Sequence, residues 1–412
     1  MDDRCVLFRN ATLVDPTWSE PRPGCCVLVE GDRIREVADR PLASASSVTF
    51  DLGGRTLMPG LIDCHVHVVA SMVNIGNLAL LPDSLVTLRA LPILRGMLDR
   101  GFTTVRDAAG ADAGLALAVD QGLVAGPRLF VSGKALSQRG GHGDIRGRFD
   151  DAEPRRARLG VLSRIADGVD AVRVAAREEL RGGARQVKVM ASGGVASPTD
   201  PVANTQYSRQ ELEAVVEEAE AVQTYVLAHA YTARAVRRAV ECGIRSIEHG
   251  NLVDEPTARY MAERGAYAVP TLVTYEALAE EGAALGLPPD SVAKIADVRE
   301  SGLRSLEIFQ RAGVKMAYGT DLLGEMHRHQ SSELVIRGRV LSTLDVIRSA
   351  TTTAAEVLRM DGRLGVIAPG ALADLLVVDG NPLDDLSVLL NQGAHIDAIM
   401  KGGRFHKNRL AA

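Results

Sequence analysis

The sequence lacks an apolar run long enough to cross a membrane, since no stretch approaches about eighteen uninterrupted apolar residues. The opening segment MDDRCVLFRNATLVDP begins with acidic residues and has no basic region followed by an apolar stretch, so no secretory signal is predicted. The five cysteines are an odd number, and their spacing indicates neither a disulfide framework nor a zinc knuckle. These absences predict a cytoplasmic protein with reduced thiols and no membrane partner.

A strong excess of one charge is also missing. The formal net charge is -5 at pH 7, and charged residues make up 24% of the chain. This balance predicts no nucleic-acid partner and leaves small polar or zwitterionic molecules as partners. At 412 residues the chain exceeds the size at which one hydrophobic core normally keeps growing, so we expect one large domain and a smaller one.

Short β-rich runs alternate with helical stretches through the middle of the chain, which is typical of βαβ units and a parallel sheet. Helix starts are indicated at Ser208, where Glu211 completes a capping box, and at Thr232. Eight strands are predicted, at residues 57–68, 101–108, 127–133, 184–193, 224–231, 244–251, 266–273 and 314–321. Eight repeats predict an α/β fold of the (β/α)₈ TIM barrel type. An open doubly wound sheet is the alternative, but no GxGxxG turn follows the first strand.

The two ends of the chain have a different character. Residues 1–57 and 365–412 hold short alternating segments with turn residues between them. We therefore expect a small β-sandwich domain formed from both chain termini, with the barrel over residues 58–364. Two connections, 134–159 and 194–207, are too long for simple turns and follow predicted strands. Both are candidate lids at the C-terminal face of the barrel, where barrel enzymes keep their loops.

Two histidines lie at the end of the first predicted strand. Because side chains alternate between the faces of a strand, His65 and His67 point the same way and could grip one metal ion. Surface or core histidines are an equal alternative for this pair taken alone. However, His229 ends the fifth predicted strand, His249 the sixth and Asp321 the eighth. Four histidines and a carboxylate at strand ends would converge on the mouth of one barrel, which predicts a metal site.

Lys188 lies in the middle of the apolar fourth strand, where a lysine is rarely buried without a partner. It could be a snorkelling charge at a sheet edge or the partner of a buried acid. Alternatively, burial lowers the pKa of this lysine, and a neutral amine near two cations can react with carbon dioxide to give a carbamate. That anion would bridge two metal ions as a carboxylate does.

These residues, together with the motifs around them, resemble the amidohydrolase superfamily of binuclear metal-dependent hydrolases. LMPGLIDCHVH begins the first predicted strand, and PGALADLLVVDGNPL follows the predicted barrel. GGVASPTDP, HAY, IEHGN and GTDLLGEMHRHQ resemble the group of prolidase-like and N-acyl amino-acid hydrolases, which includes Xaa-Pro dipeptidases and ochratoxin hydrolases. The resemblance implies cleavage of an amide whose leaving group is an α-amino acid with a free carboxylate.

The resemblance also implies two metal sites that share one bridging group. One ion would be bound by His65, His67 and Asp321, the other by His229 and His249, and both by carboxylated Lys188. We expect two divalent metal ions per chain. Zinc is the expected metal because imidazole and carboxylate ligands in sites of low coordination number suit it. Manganese, cobalt and iron are the alternatives.

Two further residues would contact the substrate if the resemblance holds. His142, in the loop RGGHG, would face the substrate and assist catalysis, and Tyr231 would contact the substrate carboxylate. The implied partner is a small dipeptide or N-acyl amino acid, and the resemblance implies a homo-oligomer. His327 and His329 have no place in this ligand set, and we expect a loop or a substrate-side role for both, with a solvated surface favoured over the substrate side.

These expectations combine into a metal-dependent hydrolase of dipeptides or N-acyl amino acids, of the Xaa-Pro or related type and including ochratoxin-type amides. Two cations sharing a water would lower its pKa towards neutrality, and the bridging hydroxide would attack the amide carbonyl. Asp321 would accept the proton of this nucleophile and return it to the leaving nitrogen. One metal ion, helped by His142, would stabilise the oxyanion.

Two alternatives stay open at this point. The same two-metal site could hydrolyse another bond, in a lactam, an ester or an organophosphate, and substrate profiling would separate these reactions. The barrel could also have lost catalysis and serve as a binding or assembly module. Loss of catalysis would be expected to remove at least one of the six ligand residues, and all six are present.

Overall fold

A computed structural model describes residues 5–42, 47–154, 158–197 and 199–411 of the protein. Its strands are β1 (Cys5–Leu13), β2 (Arg22–Glu30), β3 (Arg33–Ala38), β4 (Ser47–Asp51), β5 (Thr56–Pro59), β6 (Leu61–Val66), β7 (Phe102–Asp107), β8 (Arg128–Val131), β9 (Ala135–Ser137), β10 (Ser163–Ile165), β11 (Val187–Met190), β12 (Val226–Thr232), β13 (Ser246–Leu252), β14 (Tyr267–Val269), β15 (Leu375–Val378), β16 (Ile396–Lys401) and β17 (Arg404–Asn408).

The α-helices are α1 (Ile75–Leu78), α2 (Asp83–Asp99), α3 (Ala113–Asp120), α4 (Val169–Arg181), α5 (Arg209–Ala221), α6 (Ala233–Glu241), α7 (Glu255–Glu263), α8 (Leu272–Glu281), α9 (Pro289–Ala312), α10 (Ser332–Arg337), α11 (Thr343–Ser349) and α12 (Thr352–Val357). Short 3₁₀ helices span Gly324–His329, Leu386–Leu389 and Asn391–Gly393. No helix among the described residues combines the length and the apolar character needed to span a membrane.

Both ends of the chain contribute to one eight-stranded sheet, which we call the terminal sheet. Its strands follow the order β17-β16-β15-β5-β1-β2-β3, and β4 pairs with β1. The apolar core on this sheet combines side chains from both ends, among them Phe8, Val27 and Leu375. The two ends therefore share one core, although the whole middle of the chain separates them.

The middle of the chain forms two parallel sheets. One contains β6-β7-β8, and the other contains β10-β9-β11-β12-β13-β14. All neighbouring strands in both sheets run parallel. Buried apolar side chains fill these strands, as expected for a parallel sheet that helices cover. The predicted α/β class is confirmed, and six of the predicted strands overlap β7, β8, β11, β12, β13 and β14.

Residues 314–321, which we predict as the eighth strand, do not form a continuous strand. The segment makes a single parallel bridge between Met316 and Ala268, beside β14. On its other side, Cys64 N in β6 donates to Tyr318 O at 2.8 Å. The segment is therefore held between β14 and β6, although its ladder of hydrogen bonds is too sparse for a regular strand.

The first predicted strand, 57–68, is divided at Gly60. β5, before it, pairs with β15 and belongs to the terminal sheet, whereas β6, after it, pairs with β7. A side chain is excluded at Gly60, since a Cβ there would lie 2.2 Å from Thr103 Oγ1. One glycine therefore lets the chain pass closely from one sheet into the next.

The predicted starts of two helices are confirmed. Ser208 caps α5, and Glu211 completes the capping box because its carboxylate accepts a hydrogen bond from Ser208 N at 2.7 Å. Thr232 caps α6 by accepting a hydrogen bond from Ala235 N at 3.3 Å. Helix α6 follows β12 directly, so the end of β12 is fixed by the cap of the next helix. This strand end carries two of the predicted site residues, His229 and Tyr231.

Candidate functional site

Three of the predicted ligand residues form one compact cluster. His65 lies near the end of β6, His67 follows that strand, and Asp321 lies beside both. The Asp321 carboxylate is 3.0 Å from His67 Nε2 and 3.4 Å from His65 Nε2. One ligand atom from each residue lies within 4.8 Å of the others, a spacing that could hold a metal ion. The structure therefore brings together the two ends of the predicted barrel sequence.

Two residues at the site adopt left-handed backbone conformations that side chains rarely adopt. The φ angle is 74° at His249 and 54° at Asp321. Such conformations cost about 1–3 kcal/mol each and persist where the surrounding structure imposes them. Asp321 N donates to His65 O at 2.8 Å, and Thr274 Oγ1 donates to Asp321 O at 2.8 Å. These bonds hold the carboxylate towards the histidine pair despite the backbone strain.

Acceptors in the protein orient the imidazoles of the histidine pair. His65 Nδ1 donates to Glu248 Oε2 at 2.6 Å, and His67 Nδ1 donates to Ala109 O at 2.9 Å. A carboxylate and a carbonyl can only accept hydrogen bonds, so each ring carries its hydrogen on Nδ1. The Nε2 atoms, which face Asp321, are thus the ring nitrogens that a metal ion could bind. This arrangement of outer acceptors is typical of histidines that bind metal ions.

His229 and His249 lie together at the ends of β12 and β13. Their ring centroids are 4.6 Å apart, and the two rings are nearly perpendicular. His229 Nε2 donates to Gly193 O at 3.1 Å, and His249 Nδ1 lies 2.7 Å from Thr271 Oγ1. Burial lowers the pKa of both histidines well below 6.5, so both are neutral and can act as ligands. Each ring again has one nitrogen held and one free.

Lys188 lies on β11, next to the strand of His229, and is 2% exposed. Burial lowers the pKa of its ammonium to about 8, although Glu248 and Asp321 oppose this shift. No described residue forms a hydrogen bond or an ion pair with its Nζ, although the side chain is buried. A buried charge without a partner is costly, which is why burial lowers the pKa of this amine.

The residues present fit a divalent cation at the cluster of His65, His67 and Asp321. The wider set contains four imidazoles and one carboxylate, which are ligand types that zinc and similar ions prefer, and one buried amine. The outer acceptors described above leave one nitrogen of each imidazole free. The one departure is charge: without a carbamate on Lys188, Asp321 is the single anion among the six residues.

A buried ion pair that sequence reasoning missed supports His65. Glu248 accepts from His65 and from Arg106 Nη2 at 2.8 Å, and both charged side chains are completely buried. Burial alone would raise the pKa of Glu248, but the Arg106 guanidinium and His65 hold it well below its usual value. Glu248 is therefore a carboxylate that accepts from His65. An arginine and a glutamate within apolar strands were the available signals for this pair.

The two predicted substrate contacts also lie at the site. The ring of His142 stacks on that of His229, with centroids 4.1 Å apart and planes at 17°. The Tyr231 ring stacks on His249 at 5.1 Å, and its hydroxyl lies 2.7 Å from the hydroxyl of Tyr275. Tyr275 belongs to α8 and had no signal in the sequence. The ligand residues are thus covered on one side by an imidazole and two phenols.

A pocket opens above the ligand residues, and both long connections contribute to its wall. Asp321 is the only carboxylate and Lys188 the only ammonium or guanidinium group among the described lining residues. Gly143 and Ile145 come from the first connection, and Val195 comes from the second. The larger aliphatic residues of the wall are Ile75, Ile145, Val161, Leu162, Leu278 and Leu323.

The expectation of a solvated loop is wrong for His327. The side chain is buried, its Nε2 donates to Ala70 O at 3.2 Å, and burial lowers its pKa to about 3. The segment folds back against the residues that follow the histidine pair, a contact that sequence spacing does not reveal. His329 lies nearer the surface, where its Nε2 is 2.7 Å from Glu281 Oε1. Neither histidine lines the pocket described here.

Comparison with known proteins agrees with this geometry. The sequence pattern of the amidohydrolase family matches residues 56–405. Ochratoxinase of Aspergillus niger is 32% identical over 427 residues, covering 98% of this chain and 88% of ochratoxinase. A solved structure of a prolidase complexed with N-methylphosphonate-L-proline is 55% identical, with a TM-score of 0.97 and coverage of 98% and 100%. A Xaa-Pro dipeptidase with bound methionine in the active site is 29% identical, with a TM-score of 0.89 and the same coverage.

Proposed function

Because the chain belongs to the amidohydrolase family, we propose that it hydrolyses the amide bond of a dipeptide or an N-acyl amino acid. The observation that carries this proposal is the compact cluster of His65, His67 and Asp321 in the pocket. The relatives named as a prolidase, a Xaa-Pro dipeptidase and an ochratoxinase support an amide as the bond and an amino acid as one product. Substrates of the Xaa-Pro or related type, including ochratoxin-type amides, follow from them.

The proposed scaffold is a closed (β/α)₈ barrel, the fold of the amidohydrolase family, with a small β-sandwich domain from both termini. Closure is supported on one side by the segment 314–321, held between β14 and β6. On the other side, Arg185 N donates to Val131 O at 2.8 Å, between β8 and the start of β11. Because β5 continues to Pro59 in the terminal sheet, we draw the domain boundary at Gly60 rather than between residues 57 and 58.

In the proposed site, His65, His67 and Asp321 would hold one divalent cation, His229 and His249 would hold the other, and a carboxylated Lys188 would contact both. The cations, proposed to be zinc, polarise the scissile carbonyl and lower the pKa of a nearby water when bound. The protein residues orient the ligands, exclude bulk water and move the proton. Lys188 is buried, which supports a modified amine at this position.

Asp321 is the proposed proton carrier of the reaction. Burial alone would raise the pKa of Asp321, but the imidazoles of His65 and His67 hold it well below its ordinary value, so it is an anion that can accept a proton. Water adds to the amide carbonyl, and Asp321 takes one of its protons. The same proton then goes to the nitrogen as the C–N bond breaks, because an amine leaves poorly unless it is protonated. The products are a carboxylic acid and a free amine.

His142, Tyr231 and Tyr275 are proposed to hold the substrate beside the reacting carbonyl. The Tyr275 hydroxyl also lies 3.2 Å from His249 Nδ1. When Tyr275 donates to Tyr231, the Tyr231 hydroxyl keeps its own hydrogen, which can be donated to a substrate carboxylate. The aliphatic wall would cover the remaining apolar part of the substrate, since a charged group there would find no counterion. An apolar acyl group or side chain is therefore the expected partner of this wall.

The test of this function combines metal analysis with substrate profiling. The purified protein is loaded with zinc and assayed against N-acyl amino acids and dipeptides with C-terminal Pro, Arg, Lys, Phe and Leu. We expect about two zinc ions per chain and the selective release of one amino acid. Bound metal without cleavage of any amide would contradict the proposed bond, and a protein that binds no metal would contradict the proposed site.

Hydrolysis of a lactam, an ester or an organophosphate is a second candidate function. One observation favours it: the described pocket wall offers no arginine, and its single lysine lies among the metal ligands. A substrate without a carboxylate would fit such a wall equally well. The same zinc-loaded protein separates the two functions when each N-acyl amino acid is compared with its neutral methyl ester and amide.

We also propose a cytoplasmic homo-oligomer, as the family resemblance and the reduced thiols of the sequence suggest. Neither membrane nor nucleic acid is a proposed partner. Light scattering on the purified chain measures the mass of the assembly directly. A single-chain mass at working concentration would contradict the oligomer.

A further inference from the structure

The imidazole of His142 is held on both of its faces. One face stacks on His229, and the other lies against Gly194 in the connection after β11. A Cβ at Gly194 would lie 2.2 Å from His142 Cε1 and 2.6 Å from its Nε2, so only glycine leaves room for the ring. The plane of His142 is therefore fixed by packing, and the rotation of the ring within that plane depends on its hydrogen bonds.

A buried chain of hydrogen bonds fixes that rotation. His142 Nδ1 lies 2.9 Å from Ser197 Oγ, and the Ser197 hydroxyl donates to Asp200 Oδ1. Gln206 closes the loop, because its Nε2 donates to Asp200 Oδ2 at 2.8 Å and its Oε1 accepts from His142 N at 2.9 Å. Ser197 is 1% exposed, and Asp200 and Gln206 are each 2% exposed, so water does not compete for these bonds.

The hydrogens in this chain can be counted. A serine hydroxyl has one hydrogen, and its two other neighbours, Asp200 Oδ1 and Gly194 O at 3.3 Å, can only accept, so the Ser197 hydrogen is directed to these oxygens and not to His142. The Ser197 oxygen can then only accept from His142. His142 therefore carries its hydrogen on Nδ1, and Nε2 of the neutral ring keeps a lone pair.

The backbone that carries this chain is also fixed. Lys294, on α9, donates from Nζ to the carbonyl oxygens of Gly194, Ser197 and Asp200 at 3.1, 2.8 and 2.8 Å. The Lys294 ammonium thus holds together the backbone of the residue that packs against the His142 ring and of the two residues in its hydrogen-bond chain. The connection is preorganised rather than dependent on the substrate for its shape.

We propose that Ser197 and Asp200 are positioning residues that fix the hydrogen of His142 on Nδ1, so that Nε2 meets the substrate as a hydrogen-bond acceptor. The inference rests on the proposed amide hydrolysis for its consequence, but its geometry is independent of the substrate. In this arrangement Nε2 accepts a hydrogen bond from a substrate group that can donate one, such as an amide N–H or an ammonium. It also removes His142, in its neutral form, as a donor to the oxyanion, which changes the role expected from the sequence.

The first test reads the hydrogen directly. Zinc-loaded protein labelled with ¹⁵N-histidine is examined by two-bond ¹H–¹⁵N correlation well above neutral pH, and His142 is assigned from the spectrum of His142→Gln. We expect a protonated Nδ1 and an unprotonated Nε2 in the wild type. In Asp200→Asn, the amide can donate to Ser197, whose hydrogen then turns to His142, so the hydrogen should move to Nε2. A wild-type ring protonated on Nε2, or a ring unchanged by Asp200→Asn, would overturn the proposal.

The second test is kinetic. Asp200→Asn and Ser197→Ala should each lower kcat/KM by about 10- to 100-fold while the zinc content stays at the wild-type value. Ser208→Ala, a serine outside the pocket, is the matched control and should keep wild-type kinetics. Values within twofold of wild type for both pocket variants would contradict a positioning role. If the wild type cleaves no amide at all, the proposed function fails but the ¹⁵N spectra still decide the inference.

Discussion

The two halves of the candidate metal centre differ in charge and in completeness. The Asp321 half, with His65 and His67, already has an anion and ligand atoms within 4.8 Å of one another. The Lys188 half, with His229 and His249, offers two neutral imidazoles and an amine. The first half carries a negative charge that attracts a cation, whereas the second half carries no anionic side chain. The difference teaches that the two halves of the candidate centre should respond differently when a charge is removed or added.

The largest effect is expected when the negative charge of the Asp321 half is removed, because this charge is the main difference between the two halves. Asp321→Asn keeps the shape of the side chain but removes both the charge and the proton carrier. We expect kcat to fall by about 1,000-fold or more, even in molecules that retain some zinc. Steady-state kinetics, normalised to zinc content measured on the same sample, check this expectation. Near-normal turnover would remove Asp321 from the mechanism.

Removing Lys188 should disable the other half. In Lys188→Ala, the bridging group is lost, and we expect the zinc content to fall from about two ions per chain to about one or fewer, with loss of activity. Lys401→Ala is a control, because Lys401 in β16 of the terminal sheet is also partly buried but donates to Gly126 O at 2.6 Å. A fully metallated, fully active Lys188→Ala would contradict the bridging role.

The two halves can also be compared without a mutation, by measuring zinc binding with and without carbon dioxide. If a carbamate on Lys188 completes its half, apoprotein loaded in bicarbonate-free buffer should bind about one zinc ion fewer than protein loaded with bicarbonate. Metal analysis after desalting measures the difference, and ¹³C-bicarbonate should give a carbamate resonance that Lys188→Ala lacks. Equal loading under both conditions would speak against the carbamate.

A smaller effect is expected from the outer acceptor of His249. Thr271→Val keeps the size of the side chain but leaves His249 Nδ1 without its neighbour at 2.7 Å. Zinc affinity at the Lys188 half should fall about 10-fold, while Thr271→Ser, which keeps the hydroxyl, should bind as the wild type does. Titration against a competing chelator resolves the two binding events. An unchanged weaker event would show that Thr271 does not orient the ligand.

The smallest effect is expected outside both halves. Ser208→Ala removes the capping box of α5 and should lower the free energy of unfolding by about 1 kcal/mol. Zinc content and kinetics should not change, because the cap lies away from the metal ligands. Thermal unfolding of the zinc-loaded protein measures the loss. A change in metal content would mean that the helix cap and the centre are coupled.

Local patterns predicted which side chains the fold brings to one place. His65, His67, His229, His249 and Asp321 line one pocket because each lies at the end of an apolar run, and parallel strands end at the same edge of a sheet. Lys188 could be found because a charge within such a run is unusual. These are short-range signals that one sequence carries in full.

The contacts between distant segments could not be predicted in the same way. Glu248 meets His65 and Arg106 only through the arrangement of three strands, and no spacing in the sequence encodes it. The burial of His327 depends on a turn that returns the chain to Ala70. The β-like composition of residues 314–321 predicts a strand, but composition does not report how many hydrogen bonds the neighbouring strands offer.

The passage at Gly60 ties the small domain to the chemistry of the large one. Gly60 N donates to Asp374 O, just before β15, and Leu61 N donates to Gly101 O at the start of β7. The carboxyl-terminal segment thus grips the chain five residues ahead of His65. A truncated protein that ends before Asp374 would lack the hydrogen bond to Gly60 N. The strand that carries His65 would then lose its contact with the terminal sheet. The terminal sheet therefore helps to position the candidate metal ligands, and the site depends on it.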